Sequence, residues 1–294
     1  MTGYYEKWSN NFGALDVQDF EKAKVVIIPV RYDATLSYKS GAKEGPEEII
    51  AASRFIDEML PDETGENMLC LKSTDIFTTG LIVPSINPEE AHKGIKEAIA
   101  NEAVKRGKIP MMLGGEHSIT LGAVKAVKEK YPDLSVLHFD AHSDLMDKYE
   151  DSKFSHACVI RRIREEGVKT VSIGIRNANH ETAAYIEKEK PIIFPAPKIP
   201  SVSEVLSHLS QNVYLTFDLD AFDPSIMPSV GTPEPGGLYW NETIKFIEEI
   251  SKKTNIVGAD VVELMPIPGF HAPNFLAAKL AYNLAKNIIK NKNE

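Results

Sequence analysis

Eight short runs rich in β-branched and aromatic residues recur along the chain: "AKVVIIPV", "STDIFTTG", "IPMMLGG", "LSVLHFD", "VKTVSIGI", "PIIFPA", "NVYLTFD" and "NIVGAD". Among the stretches between and after them, "PEEAHKGIKEAIANEAVKR", "SITLGAVKAVKEKY", "NETIKFIEEISKK" and "APNFLAAKLAYNLAKNIIKN" place apolar residues near helical spacing, with charge on the opposite side. Strands that alternate with helices of this kind build βαβ units, and such units assemble parallel sheets. The pattern predicts an α/β protein of three layers, α/β/α, with a doubly wound, mainly parallel sheet of about eight strands. Internal repeats, low-complexity segments and Ser/Gly-rich linkers are absent, so residues 1–294 read as a single domain, with 1–22 as an N-terminal extension packed on it. The less regular stretches 31–46, 144–156, 175–182 and 221–238 mostly follow strands. Open parallel sheets bind ligands outside the carboxyl ends of their strands, which makes these stretches candidate active-site loops.

Composition narrows the classes of partner. The chain has 294 residues, 43% of them hydrophobic, enough for a sizeable core, and a formal net charge of -9 without a basic block. A nucleic-acid backbone or an anionic membrane surface is therefore not an expected partner. The apolar runs, such as "VVIIPV", have the length of a buried strand and fall far short of the roughly 18 to 20 residues of a membrane span. Its two cysteines, Cys70 and Cys158, lie far apart and suit a reducing compartment. The opening "MTGYYEKWSNN" has no basic segment leading into an apolar one, so a cytoplasmic location is expected.

Chemistry concentrates where the strands end. In "DAHSDL", Asp140, His142 and Asp144 occupy alternate positions, and would share one side if the strand ran past Phe139. "VYLTFDLDAFDP" repeats the device with Asp218 and Asp220, and "IPMMLGGEHS" brings His117 to the start of a helix after two glycines. Four carboxylates crowded into a cleft raise one another's pKa and lose hydration, a cost that a pair of divalent cations removes. Two imidazoles and four carboxylates balance two such charges. An oxygen-rich set of this kind suits Mn2+ better than thiolate-seeking zinc. His138 reads as a core residue with a partner, and Cys158 as a thiol the chemistry does not need.

The order of "GGEHS", "FDAHSDL", "SHA", "FDLDAFDPS" with "GTPEPGGL", and "DVVEL" resembles the ureohydrolases, the family of the arginases and agmatinases. The resemblance runs from about residue 25 to 285. It implies two Mn2+ per chain, one held by His117, Asp140, Asp144 and Asp218 and the other by Asp140, His142, Asp218 and Asp220, with Asp140 and Asp218 bridging. Two cations can acidify a shared water far below its bulk pKa of about 15.7, which supplies the nucleophile a guanidinium carbon demands. Glu263 would grip the guanidinium and His156 would shuttle a proton, with Asp144 counted beside them as catalytic, while Asp260 resembles a supporting carboxylate. Family members tend to form trimers or hexamers.

"SIGIRNANHET" carries Asn177 and Asn179 where the arginase pattern is acidic, which removes the partners of an α-ammonium group. The expected substrate is thus a small cationic guanidine lacking an amino-acid head, with agmatine hydrolysed to putrescine and urea. Arginine and guanidinobutyrate are the alternatives within the same chemistry. A single-metal deacetylase-like amidase and a non-catalytic metal-binding protein are the alternatives outside it.

Overall fold

The computed structural model describes residues 10–15, 18–35, 37–56 and 74–290. All eight expected strands form: β1 (Val25–Pro29), β2 (Ile76–Thr78), β3 (Ile109–Leu113), β4 (Ser135–Phe139), β5 (Lys169–Ile175), β6 (Ile192–Pro195), β7 (Asn212–Asp218) and β8 (Asn255–Val262). They join into one sheet of order β2-β1-β3-β8-β7-β4-β5-β6, parallel throughout. Every residue of β1, β3 and β4 is buried, which is why those runs read as nearly continuous apolar sequence.

Alternation along each strand feeds two cores. Ile27, Met111, Leu137, Phe139, Leu215, Phe217 and Val261 face one layer, built from α1 (Gly45–Ser53), α6 (Val202–Leu206), α7 (Trp240–Ser251) and α8 (Ala272–Lys290). Val26, Ile28, Met112, Val136, Tyr214 and Val257 face the other, built from α2 (Pro88–Glu102), α3 (Thr120–Lys128) and α4 (Val159–Glu165), with α5 (His180–Glu189) at its margin. The predicted three layers are present. No helix among the described residues is long and apolar enough to cross a membrane. In the N-terminal stretch, Phe12 is fully buried and its N–H donates to Thr78 Oγ1 at 3.1 Å; residues 1–9, 16 and 17 lie outside the described residues.

Two local expectations are corrected. β4 stops at Phe139, so Asp140, His142 and Asp144 belong to a loop and strand alternation does not align them. Asp144 takes the left-handed backbone, φ 50°, and His142 pairs as an isolated bridge with Asn177. Likewise Asp218 ends β7 but Asp220 sits in a short 3-10 turn, Leu219–Ala221, with its N–H donated to Asp218 Oδ1 at 2.9 Å. In both places tight turns reverse side chains inward, where a continued strand would have carried them away from the sheet.

Candidate metal centre

The strand order decides where the chemistry meets. β3, β8, β7 and β4 are consecutive neighbours, and near their ends the pairs run level: Leu113 with Val261, Val261 with Phe217, Phe217 with Phe139. The segments that follow these strands therefore emerge side by side at the carboxyl edge of the sheet, although they span residues 113 to 262 of the chain. His117 follows β3, Glu263 follows β8, Asp218 and Asp220 close β7, and Asp140 to Asp144 follow β4.

Close approach of the backbone makes room for them. A Cβ at Gly115 would run into the Tyr32 carbonyl, and that carbonyl accepts the Glu116 N–H at 2.8 Å, so the turn after β3 lies against the loop after β1. On the opposite side Arg176 donates to five carbonyls, those of Gly174, Asp220, Ala221, Phe222 and Glu234, pinning the turn that bears Asp220. A Cβ at Gly237 would strike the same guanidinium.

The six residues marked as metal ligands do converge. His117 Nδ1 lies 3.1 Å from Asp140 Oδ2, 3.2 Å from Asp144 Oδ2 and 3.3 Å from Asp218 Oδ2. His142 Nδ1 lies 2.9 Å from Asp220 Oδ2 and 3.5 Å from Asp140 Oδ1. Two groups of donors close enough to hold a cation emerge, one with His117, Asp140 and Asp144, the other with Asp140, His142 and Asp220. Asp140 belongs to both. His138 joins the first group by distance, with Nε2 2.8 Å from Asp140 Oδ2 and Nδ1 2.9 Å from Ser172 Oγ. The partner expected for this buried imidazole is thus a carboxylate of the site itself.

Electrostatics test whether these residues suit cations. Burial, with the charges of Asp220 and Asp140, pushes Asp218 well above the usual carboxylate range, and burial with Asp140 also raises Asp220. Burial opposes charge on His117 as well, yet hydrogen bonds to Asp140, Asp144 and Asp218 hold its imidazole well above the usual value. His142 is pushed up to about 12, the pull of Asp220 and bonds to Asp140 and Asp220 overriding burial. Burial would raise Asp140 too, but hydrogen bonds from His117, His138 and His142 hold it well below the usual range. A cluster in which Asp218 and Asp220 resist ionisation and the imidazoles of His117 and His142 draw protons is a site that favours positive charge, and its oxygen-rich donors fit divalent cations.

Outer contacts orient the donors. His117 Nε2 lies 2.9 Å from Thr216 Oγ1, whose hydroxyl donates to Asp260 Oδ1 at 2.6 Å. Tyr214 and Thr120 hydroxyls donate to the other oxygen of Asp260 at 2.8 and 2.9 Å. Thr216 spends its proton on Asp260 and so accepts from His117 Nε2–H, which turns Nδ1 toward the carboxylates as the ring atom that would be offered to a cation. Asp260 itself touches no other carboxylate of the group, in keeping with a supporting place.

Glu263, nearly buried and in the left-handed backbone region at φ 67°, accepts the His117 N–H through Oε1 at 2.6 Å. Burial and the neighbouring Glu116 push its carboxyl well above the usual range. It lines an inner cavity with His117, His142, Asp144, Asp218 and Asp220. His156 stands at the mouth, bordering both that cavity and an outer cleft of about 130 Å³ lined by Met146, Tyr149, Asn177, Asn179 and Thr182. The His156 N–H donates to Thr35 Oγ1 at 3.1 Å, and Thr35 in turn donates to Glu116 through its hydroxyl at 2.6 Å and its N–H at 2.7 Å. Thr35, Glu116, Thr216 and Tyr149 were not singled out from the sequence. Only Glu116 carried a signal, its place beside His117 in "GGEHS". Cys158 is fully buried and burial pushes its thiol up to about 12, so a thiolate nucleophile is excluded near neutrality.

A doubly wound parallel sheet with paired imidazole and carboxylate groups at its carboxyl edge defines an α/β protein built to hold divalent cations. The sequence model of the arginase family matches residues 23–286, and the chain belongs to that family. The resemblance read from the motifs is borne out. It is 38% identical over 282 residues to an N(1)-aminopropylagmatine ureohydrolase of Thermus thermophilus, covering 92% of each chain. An agmatinase of Pyrococcus horikoshii is 32% identical over 95% of each chain. Among solved structures, a putative agmatinase from Clostridium difficile superposes with a TM-score of 0.83 at 33% identity, covering 94% of this chain and 100% of that one.

Proposed function

We propose that this chain is a two-metal hydrolase of agmatine-type amines, releasing urea from agmatine to leave putrescine, and from N1-aminopropylagmatine to leave the corresponding triamine. The observation that carries this reading is Glu263: one oxygen accepts the His117 N–H, and the buried carboxylate borders a cavity lined by members of both donor groups. A guanidinium bound there by charge-assisted hydrogen bonds would sit with its carbon over the cluster. His117, Asp140, Asp144 and Asp218 would hold one cation, and Asp140, His142, Asp218 and Asp220 the other. The donor chemistry favours Mn2+, and the bound pair would supply a nucleophile at neutral pH by acidifying water.

His156 borders both cavities, and by this reading the departing amine passes it and its imidazole would hand that nitrogen a proton. Asp144 spans the same boundary and would serve the reacting centre as well as a cation. The outer cleft is polar around Asn177, Asn179 and Thr182 and bordered by Asp144, with no lysine or arginine among the described residues lining it. An α-carboxylate would lose its hydration there without a counter-charge, which disfavours arginine and guanidinobutyrate. The inclusion of the aminopropyl derivative follows from the relatives named above, one acting on each amine. Urea release from agmatine, N1-aminopropylagmatine, arginine and guanidinobutyrate, with added Mn2+, tests the assignment. Turnover of arginine ahead of both amines would overturn it.

A further inference from the structure

His138 is fully buried in β4 and has no part in the chemistry described so far. Register places it opposite Ser172 of β5, and both of its ring nitrogens are engaged, Nδ1 by Ser172 Oγ at 2.9 Å and Nε2 by Asp140 Oδ2 at 2.8 Å. An ionised carboxylate offers no proton, so the hydrogen between His138 and Asp140 sits on Nε2, while the Ser172 hydroxyl, able to donate or to accept, meets Nδ1. The other oxygen of Asp140 accepts the His142 N–H at 2.6 Å. Donors therefore grip Asp140 at both oxygens and fix the plane of the one carboxylate shared by the two donor groups.

The alternative role for His138, a ligand, demands a free Nε2 lone pair facing a cation. Asp140 works against that arrangement: with the ring proton on Nδ1, His138 has none to give Asp140, and a lone pair would face a carboxylate oxygen at 2.8 Å. We propose that His138, held between Ser172 and Asp140, is a positioning residue that keeps Asp140 in the orientation where it can serve two cations at once. The proposal rests on the two-metal reading above, and goes beyond it in assigning a residue outside the ligand set.

Mn2+ titration of the metal-depleted full chain, followed by calorimetry and by the spin-coupled electron paramagnetic resonance signal of paired ions, tests it without any substrate. Wild type should take up two ions. His138→Phe should weaken the second ion about 10- to 100-fold and shrink the coupled signal, the usual cost of removing an outer partner of a metal ligand. His138→Gln should recover most of that loss, because its amide N–H can donate to Asp140 while its carbonyl accepts from Ser172. Ser172→Ala should weaken binding less, and add nothing in the His138→Phe background. If His138→Phe does not fold, the Gln and Ala variants carry the test. Two ions bound as tightly without a donor at 138, or a loss that Gln fails to restore, would overturn the positioning role. A wild type that takes up fewer than two ions would overturn the two-metal reading and this inference with it.

Discussion

Glu263 and His117, 146 residues apart, are joined by a 2.6 Å hydrogen bond from the His117 N–H to Glu263 Oε1. The carboxylate proposed to receive substrate is thereby tied to the turn that carries His117, so the backbone would set the distance from a bound guanidinium to the cluster. Glu263→Gln keeps an acceptor for that N–H but turns an amide N–H toward the cavity, replacing a charge-assisted contact with a repulsive one. Turnover should fall by about 100-fold or more, equivalent to roughly 3 kcal/mol, while Mn2+ content stays at the wild-type level. Parallel loss of metal would show that Glu263 serves the cations and leave its substrate role unsupported.

Asp140 belongs to both donor groups, whereas His117 and His142 belong to one each. His117→Ala and His142→Ala should each weaken one cation selectively, and Asp140→Ala should weaken both, as metal content after dialysis against graded Mn2+ would reveal. The sequence resemblance assigns Asp218 the same bridging place, so Asp218→Ala is expected to follow Asp140→Ala. Selective loss of one ion in either aspartate variant would contradict a shared ligand.

Thr216 stands between His117 Nε2 and Asp260. Thr216→Val conserves shape but removes the acceptor for His117 and one of three hydroxyl donors to a buried carboxylate. Stability should drop by about 1–3 kcal/mol in urea melts, and the cation nearer His117 should bind about 10- to 100-fold less tightly. Unchanged affinity in a destabilised variant would restrict Thr216 to packing.

His92 gives the fold a measurable response to acid. Burial holds its imidazole down to about 4, its Nδ1 has no partner, and its Nε2 lies 3.4 Å from the Phe154 carbonyl. Below the ordinary value of 6.5 the unfolded chain takes up a proton at this residue and the folded chain does not. Stability from this source is complete above pH 6.5 and is lost as pH falls toward 4, a change on the order of 3 kcal/mol. His92→Leu should remove that share of the acid slope, read as the difference between variant and wild-type denaturation midpoints at pH 7, 5.5 and 4.5. Parallel curves for the two proteins would exclude it.

Hydrophobic periodicity located all eight strands and the four helices with long apolar faces, because most of those elements bury a full stripe or both of their sides; β6, at the sheet edge and only half-buried, was found from its β-branched and aromatic run. Four helices escaped it for physical reasons. α1 opens on Gly45 and Pro46, α4 is seven residues long with Arg162 on its buried side, α5 buries little besides Thr182, and α6 is only five residues. The ligand types were legible as well, since acidic and imidazole side chains clustered after apolar runs have few other uses at that density.

What the sequence could not decide was contact. Periodicity tells which side of an element is buried, never against which neighbour, so the order β3-β8-β7-β4 that brings four strand ends together existed only once the sheet had assembled. The turns at Asp144 and Asp220 depend on backbone angles fixed by surrounding packing. The pairing of His138 with Asp140 and Ser172, like that of Glu263 with His117, needs two separate segments at hydrogen-bonding range. Residue chemistry is local and was written in the chain; hydrogen bonds and cation sites fall away within an ångström or two, and only the tertiary structure sets distances that fine.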